Sequence, residues 1–347
     1  MDGARIELFA YSNRRDEDAT SRRLQDHFTV WRTIADHGDE DVANAIRDDR
    51  INILIDLSGH TSENRLPVFA WKPAPVQVTW LGYFATTGMA EMDYILADRA
   101  GVPHPDDRQF TEAVWYLPQT RLCFTPPDIA VPVNELPAKG KGFLSFGCFQ
   151  NLLKINTDTV RLWAEVLCAI PSSRLVIQYP NPNAERAIQR LLGNFRQCGI
   201  APDRIEFSEP MDREAYLMAY QAIDLILDTF PYPGGTTTCE ALWMGVPTVT
   251  LAGATMIERQ GASLLKAAGL PEFVAENERD FVAIAVSNAG NPEALGRLRG
   301  SLRDHVLASP LFDAKSFAHD FTNAMWEMWS RYSTNSTGDI QAGHGLE

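Results

Sequence analysis

An α/β fold built from two Rossmann-like domains is predicted by three observations. Apolar runs of strand length alternate with helical patterns along most of the chain, several of those runs end in aspartate or glycine, and one proline-rich break interrupts the alternation. Strands that are apolar on both faces are what a parallel sheet between helices requires. With 347 residues, 45% of them hydrophobic, the chain can form about two domains, each with its own core. A net charge of -14 argues against a general nucleic-acid or anionic-membrane binder, because neutralising phosphates needs clustered Lys and Arg. Cys123, Cys148, Cys168, Cys198 and Cys239 show no C-x-x-C pair or other metal spacing, and most sit in apolar runs. Reduced thiols and a cytoplasmic protein are expected. No apolar run of about 18 residues exists. The start MDGARIELF also lacks the basic and apolar regions of a signal peptide, so neither export nor membrane insertion is expected.

The first domain is expected over residues 1–138. Arg5 to Ser12 (RIELFAYS) reads as a strand, and the charged stretch after it begins a surface helix. Asp16, Glu17 and Asp18 match a D-x-D pattern that binds metal in some enzymes, but three acids before a helix of alternating charge read as a solvated first turn favoured by the dipole. Asp41 to Arg50 gives a short helix, and Ile51 to Leu57 (INILIDL) a buried strand. That strand ends in Ser58-Gly59-His60-Thr61, on the sheet edge where open α/β proteins bind ligands. His60 is therefore a candidate, alongside the commoner role of a structural hydrogen-bonder. VQVTWLGY is the next strand, with the small, flexible exit Gly82 to Gly88, and Asp93 to Asp98 (DYILAD) the one after.

Between Pro118 and Lys141 come Pro126, Pro127, Pro132 and Pro137, then Lys-Gly-Lys-Gly, which marks the domain boundary. The second domain, 139–332, opens with the strand Gly142 to Phe149. Asn156 or Thr157 then caps the helix TDTVRLWAEVLCAI. Lys154 lies between that strand's C-terminal end and a helix start, where a pyrophosphate binds in such folds; an ordinary surface lysine is the alternative. SRLVIQY, RIEFSEP, IDLILDTF and TVTLAG read as further strands separated by helices. In Leu227 to Pro247 (LDTFPYPGGTTTCEALWMGVP) a strand passes through a Pro/Gly loop into a helix opening with Thr236, Thr237 and Thr238. Free backbone N–H groups, hydroxyls and the dipole end there suit a phosphate, and Glu240 a ribose diol. Thr237-x-x-Glu240 also fits a plain capping box, and both readings stand. Phe317, Phe321, Met325, Met328, Trp329 and Tyr332 recur at helical spacing, a stripe for docking on a core, and residues 333–347 are expected to be disordered.

The series ILIDLSGHT, PAPVQVTWLGY, MDYILAD, FGCFQNLLKI, DTFPYPGGTTTCEALWMGVP and SPLFD resembles the catalytic region of the family 41 protein O-glycosyltransferases, the O-GlcNAc transferases and plant SPINDLY proteins. It runs in order from about Arg5 to Tyr332 and leans toward the SPINDLY branch. The resemblance implies a GT-B fold of two Rossmann-like domains facing a cleft, with a closing C-terminal helix. It also implies metal-independent, inverting transfer of a sugar from UDP-GlcNAc or GDP-fucose to Ser or Thr hydroxyls of proteins.

Residue by residue, Lys154 matches the lysine on the donor's diphosphate, Asn151 a donor-contacting glutamine position, Thr236 and Thr237 the phosphate-contacting threonines, and Glu240 the ribose-binding aspartate. Met211 and Arg213 fall at base and ribose contacts, Leu81 and Gly82 in the sugar-facing loop, and Arg65 at a cleft arginine of the O-GlcNAc branch. His60 is the cleft histidine left to assist the acceptor. Gly235 and Tyr216 stand where O-GlcNAc transferases carry donor-side histidines, which leaves the donor base open. The family's first catalytic strand and its histidine loop would precede residue 5, and no tetratricopeptide period is found. A fragment, a misassigned start or one part of a split protein is expected, with a partner carrying the repeats or self-association through an uncovered sheet edge. A sugar-nucleotide epimerase, or an inactive nucleotide- or partner-binding fragment, are the competing readings.

Overall fold

Every strand pairing among the described residues is parallel, as runs that are apolar on both faces demand. The computed structural model describes residues 6–104, 108–179 and 183–342. Two units emerge from the packing. The first comprises Met1–Asp98, His104–Arg121 and Lys315–Glu347, and the second Arg99–Pro103 and Leu122–Ala314.

In the first unit, β1 (Phe9–Ser12) pairs with β2 (Val30–Thr33). A separate sheet runs β3 (Ile53–Asp56), β4 (Val76–Thr79), β5 (Tyr94–Ala97), β6 (Ala113–Tyr116) in chain order. Side chains alternate across that sheet. Leu54 joins Val42, Ala43 and Ile46 of the helix Asp39–Asp48 on one face. Ile53, Ile55, Val76, Val78 and Leu96 meet the C-terminal helix on the other. That helix, Ala314–Ala342, docks through Phe321, Met325 and Met328, and Trp80 stacks on Phe317. The predicted stripe is thus a core face, and the sheet it covers belongs to the first unit.

In the second unit, β7 (Ser145–Cys148), β8 (Arg174–Gln178), β9 (Ile205–Ser208), β10 (Leu225–Leu227), β11 (Thr248–Leu251) and β12 (Val274–Ala275) form one sheet in the order β12-β11-β10-β7-β8-β9. Gly147 faces β10 because a Cβ there would strike Ile223 and Ile226 at 2.7 and 2.9 Å. The proline-rich stretch packs onto this unit. Val131 and Leu136 enter its core, and the buried Arg299 guanidinium donates to the Asn134 carbonyl and side chain and to Ile223 O. Burial lowers the Arg299 pKa to about 10, so it stays charged at neutral pH. By packing, the border lies at Arg121/Leu122, where the prolines had suggested 138/139, and the closing helix returns to the first unit.

The sequence reading passed over β2, β6, the two-residue β12, and the helices Glu278–Ala289 and Pro292–Leu307. Residues 333–342, expected to be disordered, continue the C-terminal helix, while 343–347 lie outside the described residues. Ser333 and Thr334 donate to the carbonyls of Trp329 and Ser330, so their hydroxyls fold back onto the preceding turn. Among the described residues, no helix is long and apolar enough to cross a membrane.

Candidate active site

In the second unit's sheet the strand order reverses between β7 and β10, which are neighbours although β8 and β9 lie between them along the chain. Chains leaving such a pair diverge, and the crevice at their C-terminal ends is where open α/β sheets bind ligands. The segment after β7 carries Gln150, Asn151 and Lys154; the segment after β10 carries Asp228 and the Gly234-Gly235 turn into the helix Thr236–Trp243.

The loop after β10 is held from beneath. Asp228, buried, accepts from the amides of Thr229 (2.9 Å) and Gly234 (2.8 Å) and from the Thr250 hydroxyl (2.8 Å). Burial pushes its carboxyl pKa up, against those donors and the nearby Lys154 ammonium. Asn156 caps the helix Thr157–Ala169, and its amide, with the Thr159 hydroxyl, grips the Phe230 carbonyl. Lys154 ends a short 3-10 turn that Asn151 caps by accepting from Leu153 N. Its ammonium donates to Pro233 O (3.0 Å) and Gln150 Oε1 (3.2 Å) and lies 4.1 Å from the Tyr232 ring centroid. Burial lowers its pKa, and Asp228 opposes that. Gln150 Nε2 in turn donates to Thr237 Oγ1 at 2.5 Å.

Glu240 is not a capping-box partner. It is only 2% exposed, and its carboxylate pairs with Arg213 Nη2 (2.5 Å) and accepts from the Tyr216 hydroxyl (2.9 Å). No side chain caps the helix start, so a capping box is not what Glu240 serves. Phe149 stacks on Tyr220 at 4.0 Å behind this group, and Tyr220 donates to Thr237 O. Burial and the adjacent Glu240 push the Tyr216 phenol pKa up. Met211 is exposed in the loop after β9, just ahead of Arg213. Arg213→Ala is expected to cost about 1–2 kcal/mol in chemical denaturation, because a buried carboxylate loses a half-exposed cation.

The candidates of the first unit gather at the C-terminal ends of β3 and β4. Asp56 accepts from the amides of Ser58 and Gly59 and from Thr79 Oγ1, which shapes the turn before His60. His60 is exposed, with Nε2 at 3.2 Å from Thr86 O. A carbonyl only accepts, so Nε2 carries the proton and Nδ1 is the basic nitrogen. Leu81 adopts φ 76°, and Gly82 lies so close to Leu57 O and Ser58 O that a Cβ would sit 2.5 Å from each. Arg65 is engaged within the unit, by Asp39 (2.9 Å), Asn13 (2.9 Å), Ile34 O (3.1 Å) and His37 O (3.0 Å). It ties the turn before the helix Asp39–Asp48 to the start of the helix Leu66–Ala70. Among the described residues, no group of three His, Cys, Asp or Glu is placed to hold a metal ion.

Two parallel α/β units, one with its polar residues at a topological switch point, define a GT-B type glycosyltransferase fold. Anabaena HepE, solved in complex with UDP, shares that fold at a TM-score of 0.55 and 11% identity over 93% of this chain and 100% of its own. The Glycosyl transferase family 41 model matches residues 1–125 and 134–321, and the chain belongs to that family. The Petunia hybrida protein named "Probable UDP-N-acetylglucosamine--peptide N-acetylglucosaminyltransferase SPINDLY" is 39% identical over the whole of this chain, which spans 37% of its length. A mutant O-GlcNAc transferase of Thermobaculum terrenum superposes with a TM-score of 0.88 at 37% identity, over 95% of this chain and 63% of its own.

Gln150, Asp228 and Tyr232 went unremarked as site residues in the sequence. The aspartate that ends the strand run was the visible trace of Asp228; nothing local singles out Gln150.

Proposed function

We propose that this chain carries the donor-binding and transfer machinery of a protein O-glycosyltransferase. It moves a sugar from a nucleoside diphosphate donor to a Ser or Thr hydroxyl of a protein, with inversion and without a metal. The observation that carries this reading is the convergence, at the switch point, of the Lys154 ammonium, the Thr237 hydroxyl and the start of the helix Thr236–Trp243. Such a group favours a diphosphate over a neutral ligand.

As the acceptor oxygen attacks the anomeric carbon, the bond to the diphosphate breaks and negative charge builds on the departing oxygen. Lys154, Thr236, Thr237 and the first free amides of that helix meet the charge where it forms. Glu240, held by Arg213 and Tyr216, accepts from the ribose diol, with Asn151 and Met211 beside the donor. For the first unit, the family resemblance gives Leu81 and Gly82 a role toward the sugar, Arg65 that of a cleft arginine, and His60 Nδ1 that of the base for the acceptor's proton. The relatives' names favour UDP-GlcNAc, whereas Gly235 and Tyr216 leave room for GDP-fucose. A cytoplasmic setting fits five cysteines that are all free.

Calorimetric titration with UDP and with GDP, on the wild type and on Lys154→Ala, tests the reading. Tight binding of one nucleotide that the substitution abolishes is the expected result. Binding of neither overturns the donor site.

A further inference from the structure

We propose that Gln150 is a positioning residue that aims the Thr237 hydroxyl proton and the Lys154 ammonium together at the donor's diphosphate. This rests on the donor site proposed above. Gln150 is 6% exposed and bridges two groups from distant parts of the chain: Oε1 accepts from Lys154 (3.2 Å) and Nε2 donates to Thr237 Oγ1 (2.5 Å).

The orientation of its carboxamide follows from chemistry. An ammonium can only donate, so the oxygen must face Lys154, and the NH2 is left for Thr237. Thr237 Oγ1 therefore receives a proton from Gln150 and keeps its own to give. A helical threonine can give that proton to the carbonyl four residues back. Here that carbonyl is Pro233 O, which Lys154 already engages, and among the described residues Thr237 donates to no protein acceptor. The hydroxyl is thus set as a donor toward an anion, and one carboxamide sets both it and the lysine. Gly234 makes room for it, since a Cβ there would fall on Gln150 Nε2 and on the Thr238 and Thr237 hydroxyls.

The test uses the full chain, the nucleotide of the pair UDP and GDP that it binds, and the matching nucleoside. Gln150→Met keeps the shape and removes both bonds, and diphosphate affinity is expected to fall about tenfold. Gln150→Glu can only accept. It draws the Thr237 proton onto itself, turns that oxygen's lone pairs toward the phosphate and offsets the Lys154 charge, so the expected loss is about a hundredfold. Nucleoside affinity stays within about twofold in both, which a general loss of structure would not spare. Thr237→Val weakens the wild type but adds little in either Gln150 background, because the two groups act as a unit. A wild type that binds the diphosphate, with variants that bind it equally or lose the nucleoside in step, overturns this assignment alone. A wild type that binds neither nucleotide overturns the donor reading and this assignment with it.

Discussion

Lys154→Ala is expected to lower the proposed sugar transfer by about 100- to 1,000-fold and to leave the unfolding transition within about 1 kcal/mol of the wild type. The first number is the usual cost of deleting one preorganised group that meets developing charge. The second follows from the environment, because a half-buried ammonium whose charge burial disfavours contributes little net stability. Steady-state kinetics and chemical denaturation check the two halves separately. The pH dependence follows from the same shift. A diphosphate binds the charged form, so affinity is flat below the Lys154 pKa and falls as pH rises through it. Burial places that pKa below the ordinary lysine value of 10.5, so the fall starts earlier than for an exposed lysine. In Lys154→Arg the guanidinium stays charged and the alkaline fall disappears, though weaker binding at neutral pH is expected from its different shape. An alkaline limb that survives in the arginine variant would assign the titration to another group.

Gly234→Ala is expected to weaken nucleotide binding by at least about a hundredfold and to destabilise the second unit by about 1–3 kcal/mol. The added methyl falls on Gln150 Nε2 and Thr238 Oγ1 in a buried turn, while the residue's own amide is fixed on Asp228 at 2.8 Å. Either the turn shifts and breaks that bond, or Gln150 is displaced from Thr237 and Lys154. Gly193→Ala is the control. It lies in the helix Glu185–Gln197 with nothing within 4 Å of its added methyl, so binding is unchanged and stability rises by about 0.5–1 kcal/mol. Denaturation and titration on the two variants separate a local collision from a general effect of removing glycine. Equal binding by Gly234→Ala and the wild type would show that the turn does not shape the site.

Much of the architecture was legible because it rests on local patterning. INILIDL, VQVT and LVIQ are apolar or threonine-rich on both faces and can be accommodated only between helices, and they became β3, β4 and β8. The turn into Thr236 was readable for the same reason, since prolines and glycines before a threonine-rich start permit little else. Strands such as β6 and β12 were not legible. β12 has only two residues, and both are edge strands drawn into a sheet by neighbours already in place.

The site divides along the same line. Lys154, Thr237 and Glu240 could be nominated from neighbouring residues and from the family resemblance, because each stands beside a strand end or a helix start. Their partners could not. Gln150 reaches Thr237 across 87 residues, Arg299 reaches Asn134 across 165, and Arg65 collects bonds from Asn13 and from the His37–Asp39 turn. Those contacts exist because β7 lies beside β10 and because helices far along the chain return to earlier segments. Periodicity, capping and turn chemistry act over a few residues and are written in order along the chain. Which carboxamide meets which hydroxyl depends on sheet order and long-range packing, where loop closure and burial of the whole core outweigh any local preference.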